Sequence, residues 1–443
     1  MTLDSTRRHA RRRRRPSGAA RVAGGVVALA VVLSACSSPG AHRAASGAVP
    51  SVAADIHATG IPAFYTPPRP LPPGAPGTLI RTEKVTGVPG VPVGATVWRI
   101  LFRSRSIYGA DIAESGYVVV PPGPAPAGGF PVLSWAHGTT GFAGICAPSL
   151  FTAQGGAGPY LLPDLADYLG AGFVVAATDY QGLGTPGFHP YLLGASEGRG
   201  VLDAARAARH LAGVHTSDTV VIYGHSQGGH AALFAGELAP SYAPELHVAG
   251  VVAAAPATGL SSILAVATSP SVGQGILVFT MPTAYTWART YRDLPLSDIF
   301  TPEGEQIAAS VVPQGCFNAV VAAVAAQHLT PQAVFRPGAS SNPAVIAHAR
   351  RNDPGQVRTR APMLIVQGTA DTTVPPALTD AFVTQKACPV GDRVDYLHVA
   401  GATHGTVVFV SAPTIARWMT DRLRGEVPPS TCGQPGDVGT LAP

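Results

Sequence analysis

Residues 219–239 read TVVIYGHSQGGHAALFAGELA, and the rest of the chain is organised around them. Thr219-Val220-Val221-Ile222-Tyr223 is a short β-branched run of the type that fills a buried strand. The Ala/Leu/Phe-rich segment after Gly229 has helical spacing. Gly224-His225-Ser226-Gln227-Gly228 must therefore turn sharply from strand to helix, the context of a nucleophile elbow. Glycines at both ends of G-x-S-x-G let the backbone fold tightly enough to expose the Ser226 hydroxyl. The helix behind it points free N–H groups at the same spot.

The same rhythm continues on both sides. Upstream, residues 96–102 and 116–120 read as strands, residues 131–136 as the next, and 173–178 as another buried strand. Residues 194–211 form an Ala/Arg-rich amphipathic helix that delivers the chain to Thr219. Downstream, residues 247–255, 361–366 and 394–399 read as strands, with a last helix near 415–423. Strand and helix alternating in this way imply an α/β fold, with a mainly parallel sheet and helices on both faces. Residues 258–356 break the rhythm with helix-like pieces and the apolar run 275–281, followed by Tyr285 and Trp287. An insertion of that length at the strand ends reads as a helical cap, whose apolar character would suit an acyl chain.

Three loops after strand ends carry residues suited to nucleophilic chemistry. Asp371 lies in the exit loop 367–375 and His404 in 401–405, so the order is Ser, Asp, His. His404 would remove the Ser226 proton, and Asp371 would fix the imidazole tautomer and stabilise the imidazolium. The turn His137-Gly138-Thr139-Thr140-Gly141 follows a central strand, where one oxyanion donor is expected; the N–H of Gln227 would be the other. Thr139 and Thr140 are both candidates. Asp179, where strand meets loop, is read as a loop-stabilising hydrogen-bond acceptor.

The net charge of +5 is misleading. Residues 1–35 hold eight arginines against Asp4, or +7, so the remainder carries 5 − 7 = −2. A nucleic-acid partner loses its support once that leader is set aside. The leader pairs an arginine-rich start with an apolar stretch, 22–33, too short to span a bilayer, and so reads as an export signal. Its ending, Leu33-Ser34-Ala35-Cys36, resembles the lipobox of bacterial lipoproteins and implies lipidation of Cys36 and membrane attachment. Outside the cytosol, Cys146, Cys316, Cys388 and Cys432 make an even set expected to pair, in any of three ways. Nothing in their spacing suggests a metal, and no cofactor is expected. The expected organisation is a signal at 1–35, a Pro/Ala/Ser-rich tether at 36–77, core at 78–257, cap at 258–356 and core again at 357–443.

Several of these motifs together resemble the secretory lipase family, which includes fungal lipase A-type enzymes and actinobacterial homologues. They are Ser134-Trp135-Ala136-His137-Gly138-Thr139-Thr140-Gly141 with Cys146-Ala147-Pro148-Ser149, then Ala177-Thr178-Asp179-Tyr180-Gln181-Gly182-Leu183-Gly184, then Gly224-His225-Ser226-Gln227-Gly228-Gly229. The likeness runs from about Thr78 to Leu423. It implies an α/β-hydrolase fold, a helical cap before the acid-bearing strand, and activity on carboxylic esters or triacylglycerols. It carries over Ser226, Asp371 and His404, with Gln227 in the oxyanion hole, and implies disulfides Cys146–Cys316 and Cys388–Cys432. The arginine-rich leader and the lipobox depart from the family's free secretion. An acyltransferase or peptidase would use the same parts, and a lipid-binding lipoprotein would use only the pocket.

Overall fold

The computed structural model describes residues 60–152, 161–269, 273–433 and the backbone of 439–441. The export signal and Cys36 lie outside the described residues. Among the described residues ten strands make one sheet: β1 (Leu79–Val85), β2 (Thr96–Arg105), β3 (Asp111–Val120), β4 (Phe130–Ala136), β5 (Val174–Thr178), β6 (Thr216–His225), β7 (His247–Ala254), β8 (Met363–Gly368), β9 (Val394–Val399) and β10 (Gly439–Leu441). Their order is β1-β2-β3-β5-β4-β6-β7-β8-β9-β10. The first three strands and the β3–β5 pair are antiparallel; from β5 to β10 every pairing is parallel.

Side chains of the central strands alternate between two cores, as the two-residue period of a strand requires. Val132, Val220 and Ile222 point to one face, where α2 (Gly194–Arg209) and α3 (Gln227–Tyr242) pack. Leu133, Trp135, Val221 and Tyr223 point to the other. That face is covered by α1 (Leu165–Gly170) and by the C-terminal helices. Burial on both sides explains the near-continuous apolar character of these strands. The fold is an α/β-hydrolase with a mainly parallel sheet.

Between β7 and β8, among the described residues, the chain forms seven α-helices: α4 (Leu260–Val266), α5 (Leu277–Thr290), α6 (Leu296–Ile299), α7 (Pro302–Val311), α8 (Phe317–Ala326), α9 (Pro331–Val334) and α10 (Pro343–Arg351). They share a third apolar core, which includes Met281, Tyr285 and Trp287. The apolar run expected to suit an acyl chain is thus spent largely on burying itself. A small cavity of about 20 Å³ beside Trp287 is lined by Leu264, Leu294, Ile299 and Phe335, and by none of the predicted site residues. The helices α11 (Pro376–Phe382), α12 (Val407–Val410) and α13 (Ala412–Leu423) complete the chain.

One boundary moves. The tether expected over 36–77 does not reach Gly77: among the described residues, Tyr65 is buried, and Ile61 and Phe64 pack against the core. Arg81 donates to Phe64 O at 2.5 Å, and Tyr65 bonds Ser149 Oγ at 2.8 Å. Proline content suggested an extended linker; the aromatic pair within it supplies the surface that docks.

Candidate active site

Ser226 stands at the junction of β6 and α3 with φ 58° and ψ −119°, a conformation costly for a residue with a side chain. Its neighbours hold it there. The Ser226 N–H donates to Ala254 O, and its carbonyl accepts from His230 N and Ala257 N. A Cβ on Gly224 would come 1.9 Å from Gly228 O, and one on Gly228 would come 1.8 Å from Ala136 O. The two glycines of G-x-S-x-G therefore permit close approach, and the elbow nests against the end of β4.

His404 Nε2 lies 2.9 Å from Ser226 Oγ, and His404 Nδ1 lies 2.8 Å from Asp371 Oδ2. Asp371 is buried. Its Oδ1 accepts from Thr373 N and Val374 N, each at 2.8 Å, and its Oδ2 also accepts from Gln367 Nε2 at 3.2 Å. Four donors leave that carboxylate a single orientation. With Nδ1–H directed at Asp371, Nε2 is the imidazole's acceptor, facing the serine hydroxyl. His225 adds a brace: its ring lies 4.7 Å from the His404 ring, and its Nε2 donates to His404 O at 2.9 Å. Burial, and then the neighbouring His404, push the His225 pKa down to about 3, so it is a neutral prop.

On the other side of Ser226, Gln227 opens α3, in the first turn whose N–H groups have no intrahelical acceptor. The His137-Gly138-Thr139-Thr140 turn leaves β4 beside it. His137 is buried, and burial lowers its pKa to about 4 despite the Gly138 and Asp179 carbonyls near its nitrogens. Tyr180 O–H donates to His137 O at 3.0 Å. The two threonines differ. Thr139 is half-buried, with Oγ1 2.9 Å from Tyr191 Oη, whereas Thr140 is buried and its Oγ1 meets no hydrogen-bond partner among the described residues. Asp179 accepts from Ser149 N at 2.8 Å, from Ser115 Oγ at 2.6 Å and from Ser149 Oγ, so it fastens the loops beneath the site.

A disulfide joins Cys146 to Cys316 and another joins Cys388 to Cys432, each with Cα atoms 5.4 Å apart. These are the pairs that the resemblance implied. The first ties the loop after β4 to the start of α8. Beside it, Phe142 N donates to Gly315 O and Phe317 N to Thr140 O. Among the described residues no three His, Cys, Asp or Glu side chains gather to hold a metal.

Sequence reasoning missed Glu197, His189, Tyr191 and His230, which lie together behind Gln227. Glu197 is an isolated acid in an Ala/Arg helix, with no spacing to connect it to the elbow. His225 was in view, as the second residue of the motif, but its contact with His404 crosses 179 positions.

The family model for the secretory lipases matches residues 161–431, more than half of the chain. Lipase A of Arthroderma benhamiae is 26% identical over 82% of this chain and 79% of its own. A secreted triacylglycerol lipase of Malassezia globosa is 25% identical over 84% of this chain and 81% of its own. A Mycobacterium tuberculosis relative, 26% identical over 82% of each chain, is named a probable inactive lipase. In fold, Candida antarctica lipase A in its closed state superposes with a TM-score of 0.71 at 20% identity, covering 84% of this chain and 88% of its own. A mutant of LipA, the rice cell wall degrading esterase of Xanthomonas oryzae, gives 0.65 at 21% identity, covering 80% and 99%. The chain belongs to the secretory lipase family, and it is an exported enzyme that hydrolyses carboxylic esters.

Proposed function

We propose that the enzyme cleaves ester bonds of lipids or acylglycerols through an acyl-enzyme on Ser226. The observation that carries this reading is the unbroken hydrogen-bond chain from Ser226 Oγ through His404 to Asp371, at 2.9 and 2.8 Å. As Oγ attacks the ester carbonyl carbon, His404 Nε2 takes its proton, and Asp371 stabilises the resulting imidazolium. The tetrahedral oxyanion is held by the Gln227 N–H and by a group of Thr139 or Thr140. Collapse expels the alcohol, protonated by His404. Water, deprotonated by the same imidazole, then attacks the acyl-enzyme and releases the acid.

In this reading the helices between β7 and β8 form the cap over the site, within 258–356. Residues 1–35 direct export, and lipidated Cys36 holds the enzyme at the membrane. That anchor rests on the sequence of the leader alone. The test of the chemistry is p-nitrophenyl ester turnover by wild type and Ser226→Ala. Activity confined to wild type is expected, and equal rates above background in both would end the proposal. For the anchor, Cys36→Ala should move the enzyme from the membrane fraction to the soluble one.

A further inference from the structure

We propose that Tyr191 and Glu197 are positioning residues that set the oxyanion hole from both sides, with the Thr139 hydroxyl as its second donor. This rests on the serine-hydrolase reading above. The two threonines of the turn are separated by accessibility. Thr140 Oγ1 is sealed from solvent, and its carbonyl is held by Phe317 N, so that hydroxyl cannot meet a substrate oxygen without rearrangement. Thr139 is half-buried, and its hydroxyl is within 2.9 Å of the Tyr191 phenol. Two hydroxyls share one hydrogen bond and hold two protons. With Tyr191 O–H donating to Thr139 Oγ1, the Thr139 proton is left to give to the oxyanion. Burial raises the phenol pKa far above its ordinary value, so Tyr191 keeps the proton it must donate.

What holds Tyr191 is Glu197. The carboxylate, itself buried, accepts from Leu192 N at 2.9 Å, immediately after Tyr191. The same Oε1 accepts from Gln227 Nε2 at 2.7 Å, and Oε2 faces His230 Nδ1 at 2.8 Å. His230 Nε2 in turn donates to Asn352 O at 2.8 Å. Burial works against a charge on His230, but Glu197 outweighs it and raises the imidazole pKa, favouring a buried ion pair. Gln227 Nε2 also reaches His189 Nε2 at 2.9 Å, and His189 Nδ1 donates to Gln181 O at 3.1 Å. Trp287 Nε1, from α5, donates to Tyr191 O at 3.1 Å. One carboxylate thus fixes the residue that bears the first donor and the loop that orients the second. Neither Tyr191 nor Glu197 touches the reacting atoms in this scheme.

The experiment is steady-state turnover of p-nitrophenyl butyrate by Thr139→Val, Tyr191→Phe, their double mutant and Glu197→Gln, each checked for wild-type melting behaviour. Thr139→Val is expected to lower kcat about tenfold or more, with KM within roughly twofold, and Thr139→Ser to restore it. Tyr191→Phe should lower kcat by a smaller factor. The double mutant should be no slower than Thr139→Val alone, because the phenol acts only through that hydroxyl. Glu197→Gln should lower kcat with little change in KM. Wild-type kcat in Thr139→Val, or losses that multiply in the double mutant, would overturn the proposal. Should Thr139→Val misfold, Thr139→Ala with and without Tyr191→Phe gives the same cycle. Ser226→Ala separates the two levels: inactive Ser226→Ala beside fully active Thr139→Val sinks only this inference, whereas active Ser226→Ala sinks the reading beneath it.

Discussion

The two flanks of Ser226 are built to different specifications. On one, His404 is partly open to solvent, and its loop is exposed at Thr403, Gly405 and Thr406. On the other, Gln227, Glu197 and His230 are each no more than 1% exposed and bonded to one another. The proposed chemistry accounts for the contrast. The imidazole must exchange protons with alcohol and water, so it needs access. The oxyanion donors only have to be in place beforehand, and a dry, fully bonded surround keeps them there without reorganisation. Asp371 belongs to the first flank by contact and to the second by construction, being buried under four donors.

Substitutions on the accessible flank should give the largest effects. Ser226→Ala or His404→Ala should each cut kcat by roughly 10⁶-fold, and the pair by no more than either alone, because the groups act as a unit. Strictly additive losses in ester turnover would break that unit. Asp371→Asn should cost about 10⁴-fold, since the amide favours the wrong imidazole tautomer while keeping its backbone donors. A much smaller loss would mean that the loop, rather than the charge, orients His404.

The covalent tie between the loop after β4 and α8 should register as stability. Replacing both Cys146 and Cys316 by Ser should lower stability by about 2–4 kcal/mol, read from urea unfolding, and reduce kcat as the Thr140 turn loosens. Unchanged kcat would show that the backbone bonds to Gly315 and Phe317 suffice.

Below the buried flank, Glu114 faces Thr178 Oγ1 at 3.0 Å beneath α2. Burial, then the nearby Asp203, raise its pKa to about 8. A carboxyl raised in the folded state binds its proton more tightly there than in the unfolded chain. Its contribution is therefore complete below the ordinary value near 4.5 and is lost as pH climbs through about 8. Glu114→Gln should flatten that decline, so the melting temperature of wild type falls relative to the variant between pH 5 and 9. Parallel curves would refute it. The smallest effect is expected at His225→Phe, a few-fold loss in kcat from a slackened His404 carbonyl. A loss rivalling Asp371→Asn would erase the distinction between brace and machinery.

Much of this was legible from the chain alone wherever the physics is local. Strand period and the glycines of 224–228 report backbone geometry within a few residues, and loop positions after strands follow from alternation of strand and helix. The Glu197 network was not legible because its bonded members are 5 to 38 positions apart along the chain, or 122 for His230 and Asn352, and meet only after α2 and α3 pack. Residues 60–66 were hidden for the opposite reason: the proline-rich run that follows them, 67–73, sets the character of the whole stretch, while one buried aromatic, Tyr65, decides where they lie. The apolar run in α5 was visible but ambiguous, since a residue that fills a core and one that lines a cavity look alike in sequence.

The short antiparallel contact of Gly141 with Cys316 has a further consequence. Because a Cβ at Gly141 would lie 2.4 Å from Cys316 Cα, no side chain fits at Gly141 unless the facing backbone moves away. If the proposed cap were exchanged for a relative's, the turn bearing Gly141 and the start of α8 would have to be transplanted together.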